Sequence, residues 1–238
     1  MGVLAGARFD HIAIAVPDRS VAERTYVDAM GAGRVAFARN GGIEILQLRF
    51  GGGCKLEVLS PYGDRVAARR LTEHIGQRPA SIHHVTVLVD TLDDAVSALA
   101  SVGVRCVGVA DQPDGSREAF VLPRNAGGVL VQLVQKDVDD DEWARRHGQI
   151  ADDPAPGAAR FLGARYGHAD PSAAASQLAT LGASVTVTPT LVTAQWDGDG
   201  LRLWLVPEPA AIELVFDGAT PRAADRTLGP AVVNDIVR

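Results

Sequence analysis

Cysteine is nearly absent: the two in 238 residues, Cys54 and Cys106, are too few to staple a fold and stand in no CxxC spacing. Neither a disulfide framework nor a cysteine metal site is therefore expected, and both read as small buried hydrophobes suited to a reducing cytoplasm. No apolar run approaches the ~18 residues a membrane helix needs. The N-terminal Met1-Gly2-Val3-Leu4-Ala5-Gly6 has no basic segment leading a long apolar one, so the chain reads as cytoplasmic, with no membrane partner and no export signal. Positive charge is scarce too: 23 Lys and Arg against 29 Asp and Glu give a formal net charge of -6. Without a basic stripe, the electrostatic footprint of a nucleic-acid binder is missing. What is present is ordinary globular composition, 47% hydrophobic and 22% charged, at a length that can bury a core as one large domain or two small ones.

The chain repeats itself. Phe9-Asp10-His11-Ile12-Ala13-Ile14-Ala15-Val16 reads as a strand, and His83-His84-Val85-Thr86-Val87-Leu88-Val89 repeats it with His84 in the place of His11. Each is followed by a helical stretch and a glycine stop, Ser20 to Met30 before Gly31 and Leu92 to Val102 before Gly103. Strands follow in both copies. Ile43 to Phe50, a Gly51-Gly52-Gly53 turn and Lys55 to Leu59 match Arg117 to Leu122, a turn at Asn125 to Gly128 and Val129 to Val134. The expected fold class is α+β, built from tandem βαβββ modules, with a helix around Arg65 to Ile75 between them. Residues 1–136 form the paired modules and 137–157, with their acidic run and Pro154-Ala155-Pro156-Gly157, a linker or extended loop. Residues 158–238 hold a degenerate third module and a C-terminal tail, with a first strand at Phe161 to Arg165, a helix from Pro171 to Leu181, and further strands up to Ile212–Phe216. There Gly163 falls near the place of the histidines and Glu213 near that of Glu57 and Gln132. This copy is expected to serve packing or dimer formation, not metal binding.

His11 and His84 lie on the first strands of their modules, Glu57 and Gln132 on the last. Alternation along a strand turns every second side chain to one face, so two modules related by a two-fold can bring these four to a common centre. Two imidazoles, a carboxylate and an amide oxygen form a mixed nitrogen and oxygen set suited to one divalent ion of zinc, cobalt, nickel, manganese or iron. A lone strand histidine is usually a core or surface residue; the repetition of the set is what points to a site. His83 faces the other way in a regular strand and reads as a packing residue. His74, His147 and His168 read as surface residues.

Phe9 to Asp18, Lys55-Leu56-Glu57-Val58-Leu59-Ser60-Pro61, Ile82-His83-His84-Val85 and Gly128 to Leu133 together resemble the vicinal oxygen chelate (glyoxalase/bleomycin-resistance-like) superfamily, and within it the methylmalonyl-CoA epimerase family, over residues 8 to 136. The resemblance implies a metal-dependent isomerase or epimerase, or a related lyase, working through a metal-stabilised enolate on an acyl-CoA-like or carboxylate-bearing small molecule. Its alternatives are a non-catalytic binding or resistance protein of the same fold, or an iron-dependent extradiol-type dioxygenase, because fold alone does not fix activity. Glu44 matches the family position of a proton-transferring carboxylate. Gln132 departs from the glutamate usual in the second module, while Glu57 stands where the family can supply glutamine. Glu44 precedes Glu57 by 13 positions and Glu118 precedes Gln132 by 14, so the repeat offers Glu118 as a second catalytic candidate.

Overall fold

The computed structural model describes residues 2–77, 82–198, 200–208, 212–218 and 231–234. In chain order the elements are β1 (Arg8–Ala15), α1 (Arg19–Glu23), β2 (Gly33–Asn40), β3 (Ile43–Arg49), β4 (Lys55–Pro61), α2 (Val66–Gln77), β5 (Ile82–Leu88), α3 (Leu92–Ser101), β6 (Cys106–Asp111), β7 (Arg117–Val121), β8 (Val131–Gln135), α4 (Asp140–Arg146), β9 (Arg160–His168), α5 (Pro171–Thr180), β10 (Ser184–Val187), β11 (Val192–Gln195), β12 (Asp197–Gly198), β13 (Arg202–Pro207), β14 (Glu213–Asp217) and β15 (Ala231–Asn234). The helix after β1 does not stay α-helical: Asp18 caps α1 by accepting from the Ser20 N–H, and Arg24–Ala29 continue as a π-helix. The chain divides into two compact units, one from Met1–His11, His84–Asp137 and Gly163–Ala210, the other from Ile12–His83, Val138–Leu162 and Ala211–Arg238.

In the second of these units the strands run in the order β2-β3-β4-β1. A tight turn with positive φ at Gly41 and Gly42 joins β2 to β3, which pair antiparallel, as do β3 and β4. One face of β3 and β4 carries Leu46, Leu48, Leu56 and Val58, all fully buried. On the other, Leu59 joins Ala13, Ala15 and Leu71 of α2, with Ile43, Ile45 and Ile75 packed against them. Leu71 and Ile75 sit four residues apart on α2 and so share its apolar stripe. Tyr26, Phe50, Phe161 and Phe216 form an aromatic cluster with ring centroids 4.9 to 6.3 Å apart.

The acidic run expected to be linker is in part a helix. Asp139 caps α4 by accepting from the Glu142 N–H, acidic side chains fill its first turn and Arg145 and Arg146 its last, an arrangement that favours a helix dipole. Lys55 holds Asp140 at 2.8 Å and Arg49 holds Asp141 at 3.1 Å, which ties the helix to β3 and β4. These contacts are long-range, and the local acidic composition gave no sign of them.

In the first unit β5, β8, β7 and β6 are ordered in that sequence, with β5 and β8 parallel and β7 and β8 antiparallel. Leu92, Ala95 and Leu99, at helical spacing, are the buried face of α3. The third set, β9-α5-β10-β11-β13, repeats the pattern: the order is β10-β11-β13-β9, with β9 and β13 parallel. The closing strand is thus Arg202–Pro207 and not Ile212–Phe216, which pairs in parallel with β15 instead. In the second module Thr86, two residues after His84, pairs with Gln132; in the third, Arg165, two residues after Gly163, pairs with Trp204. Trp204, and not Glu213, therefore stands in the Gln132 position. Gly163 has φ 139°, and a Cβ there would overlap the Arg202 carbonyl oxygen, so no histidine fits where the other modules have one.

Among the described residues no helix is long and apolar enough to cross a membrane.

Candidate metal centre and its carboxylates

His11 and His84 are both buried, and their rings meet edge to face at 5.7 Å between centroids. His84 also faces Phe120 of β7. The His11 Nδ1 lies 2.7 Å from Asp10 Oδ2, and the other oxygen of Asp10 accepts from Lys136 Nζ at 3.3 Å. The opposite ring nitrogen, Nε2, is 2.9 Å from Thr86 Oγ1, which in turn donates to Gln132 Oε1 at 2.7 Å. Gln132 Nε2 donates to Glu118 Oε2 at 2.6 Å, and Gln112 Nε2 donates to the other Glu118 oxygen at 2.7 Å. One continuous polar chain thus joins Asp10, His11, Thr86, Gln132 and Glu118. It arises because Thr86 pairs with Gln132 across β5 and β8, and Glu118 lies two residues from Phe120, which pairs with Gln132, so all four side chains share a face.

Glu57 is buried on β4, and Gln47, directly opposite on β3, donates to it at 3.2 Å. His11 and His84 in the first unit and Glu57 in the second are each buried, and each is of a residue type that can hold a metal ion. A buried set of two imidazoles and one carboxylate fits a borderline divalent ion, whose charge compensates the carboxylate away from water.

Glu44 is not brought to Glu57. It pairs with Ser60, three residues from Glu57, and on a strand of period two an odd offset means the opposite face. There it accepts from Arg39 at 2.8 Å, from Arg19 at 3.4 Å and from the Ser60 hydroxyl at 3.3 Å. Burial would raise its carboxyl, but the Arg39 hydrogen bond, the Arg19 charge and the Ser60 hydroxyl outweigh that and hold it below the usual range. Its setting is an arginine clamp on the α1 side, with Arg19 also stacked 4.6 Å from the Phe37 ring centroid.

The other histidines differ from expectation in one respect. His74 is not an isolated surface residue, since its ring lies 5.2 Å from that of His83, which burial and the charge of His74 push down to about 4. Thr86, Gln47 and Asp10 were missed as site residues. Thr86 was within reach of the sequence, being two positions from His84 and hence on its face; the roles of Gln47 and Asp10 depend on register and on Lys136.

The sequence profile of the glyoxalase/bleomycin resistance protein/dioxygenase superfamily matches residues 10–120. Mitochondrial methylmalonyl-CoA epimerase of Mus musculus is 30% identical over 134 residues, a match covering 54% of this chain and 72% of that protein. The chain belongs to the glyoxalase/bleomycin resistance protein/dioxygenase superfamily. Its relatives there include a second epimerase, the ethylmalonyl-CoA/methylmalonyl-CoA epimerase of Cereibacter sphaeroides, 29% identical over 134 residues that cover 54% of this chain and 97% of that one. A solved structure of a hypothetical protein from Bacillus halodurans C-125 has the same fold, with a TM-score of 0.50 at 24% identity, covering 56% of this chain and 97% of the other.

Proposed function

We propose that this chain is a metal-dependent epimerase, or a closely related isomerase, of a 2-substituted acyl-CoA thioester. The observation that carries the reading is the buried, edge-to-face pair His11 and His84, joined through Thr86 and Gln132 to Glu118, in a chain whose relatives include acyl-CoA epimerases. His11, His84 and Glu57, with Gln132 as a fourth, would hold a divalent ion, which would supply Lewis-acid stabilisation of negative charge on the substrate oxygens. The chain's own task is to take the substrate's acidic proton and return it. Glu118 is the carboxylate proposed for this, since Gln132 and Gln112 aim its two oxygens and it shares the face of His84 and Thr86. Gln132 lacks the basicity to act, so the carboxylate next to it takes the role. Glu44, turned to the other face and already neutralised by two arginines, is proposed to hold α1 to the sheet and not to meet substrate.

The test is incubation of methylmalonyl-CoA with the protein in D2O and one added divalent metal at a time, with the C2 proton followed by NMR. Exchange at C2 supports the reading. Tight thioester binding with no exchange under any metal would favour the non-catalytic binding protein.

A further inference from the structure

The geometry points to Asp10 as a positioning residue that fixes His11 in the tautomer able to hold a metal through Nε2; this deepens the metal reading above and rests on it. An ionised carboxylate only accepts, so at 2.7 Å the proton between Asp10 Oδ2 and His11 Nδ1 belongs to the ring nitrogen. With Nδ1–H held by Asp10, Nε2 is the nitrogen left to a metal; it faces the Thr86 hydroxyl, whose own proton goes to Gln132, so a metal takes the place of the Nε2–H···Oγ1 contact. Both residues are buried, at 6% and 4% exposure, so water does not readily take over the contact. Lys136 occupies the second carboxylate oxygen and so fixes the orientation of Asp10 itself. A partner of this kind on a ligating histidine is typically worth about 10–100-fold in metal affinity.

Lys136 makes the idea separable from a merely structural role. In Asp10→Asn a single side-chain oxygen stands between two donors, the Lys136 ammonium and His11 Nδ1–H. The charged donor takes the oxygen, the amide N–H turns to the ring, and His11 is driven to the Nε2–H tautomer, which has no lone pair for a metal. Removing the ammonium in Asp10→Asn/Lys136→Met frees the oxygen to face the ring again. Apo full-length proteins would be titrated with Zn²⁺ alone by calorimetry, and with Co²⁺ by its visible spectrum, with melting in chelator as a check on folding. Asp10→Ala and Asp10→Asn are expected to lose about 10–100-fold in affinity, and the double variant to regain most of it. Asp10→Ala titrating like the unmodified protein, or a double variant no tighter than Asp10→Ala, overturns the inference. Absence of any metal binding by the unmodified protein overturns the underlying metal reading instead.

Discussion

Replacing Glu118 by glutamine separates chemistry from support. The two Glu118 oxygens accept one amide N–H each, from Gln132 at 2.6 Å and from Gln112 at 2.7 Å. Glutamine leaves one oxygen for two donors and removes the charge from both bonds. Hydrogen bonds to charged groups contribute about 1.5–3 kcal/mol, and partial exposure brings the expected loss to about 1–2 kcal/mol. For a chain of this length that is a fall in Tm of about 2–8 °C. Loss of a general base costs about 10²–10⁴ in rate, or about 3–5.5 kcal/mol of barrier. The assay is C2 deuterium exchange under saturating metal, alongside metal titration and melting. A variant that melts a few degrees lower, keeps its metal and loses exchange by two or more decades fits the argument. Exchange within a few-fold of the unmodified protein would refute Glu118 as the base.

Glu44→Gln should show the converse, a lower Tm with exchange nearly intact. Because the folded-state carboxyl is held below its ordinary value, its contribution is present at neutral pH and lost as pH falls through the depressed value, so the variant and the parent should converge in stability in acid. His83, pushed down to about 4, is favoured neutral in the folded state. Its contribution, up to about 3 kcal/mol, is complete above the unfolded value near 6.5 and fades as pH falls toward 4, so denaturant melts of His83→Phe should show a shallower acid slope over that window. The Tyr26 hydroxyl is buried and has no hydrogen-bond partner among the described residues. Tyr26→Phe should therefore leave stability unchanged or raise it by about 1 kcal/mol, and a clear fall in Tm would reveal a partner for that hydroxyl.

Much of the fold was legible because the signals were local. The repeated strand around His11 and His84, the glycine stops and the hydrophobic spacing of α3 each follow from a few neighbouring residues. Hydrogen-bond register is not local in that sense. The spacings of 13 for Glu44 and 14 for Glu118 look near-equivalent in sequence, yet with a period of two that single residue turns Glu44 away from Glu57 and leaves Glu118 beside Gln132. The third module misled for a similar reason: Ile212–Phe216 has the apolar pattern of a closing strand, but pairing places Arg202–Pro207 there. In the acidic stretch the helix is not legible locally, because it needs Arg49 and Lys55 from other strands to hold it.

The central proposal is that proton abstraction by this chain depends on one bound divalent ion. The direct measurement is the initial rate of C2 exchange on methylmalonyl-CoA as apo protein is titrated with Co²⁺. A rate that rises linearly to one equivalent per chain, then stays flat and is abolished by chelator, is the predicted result. Exchange that proceeds equally without metal, or no exchange once one equivalent is bound, would contradict it.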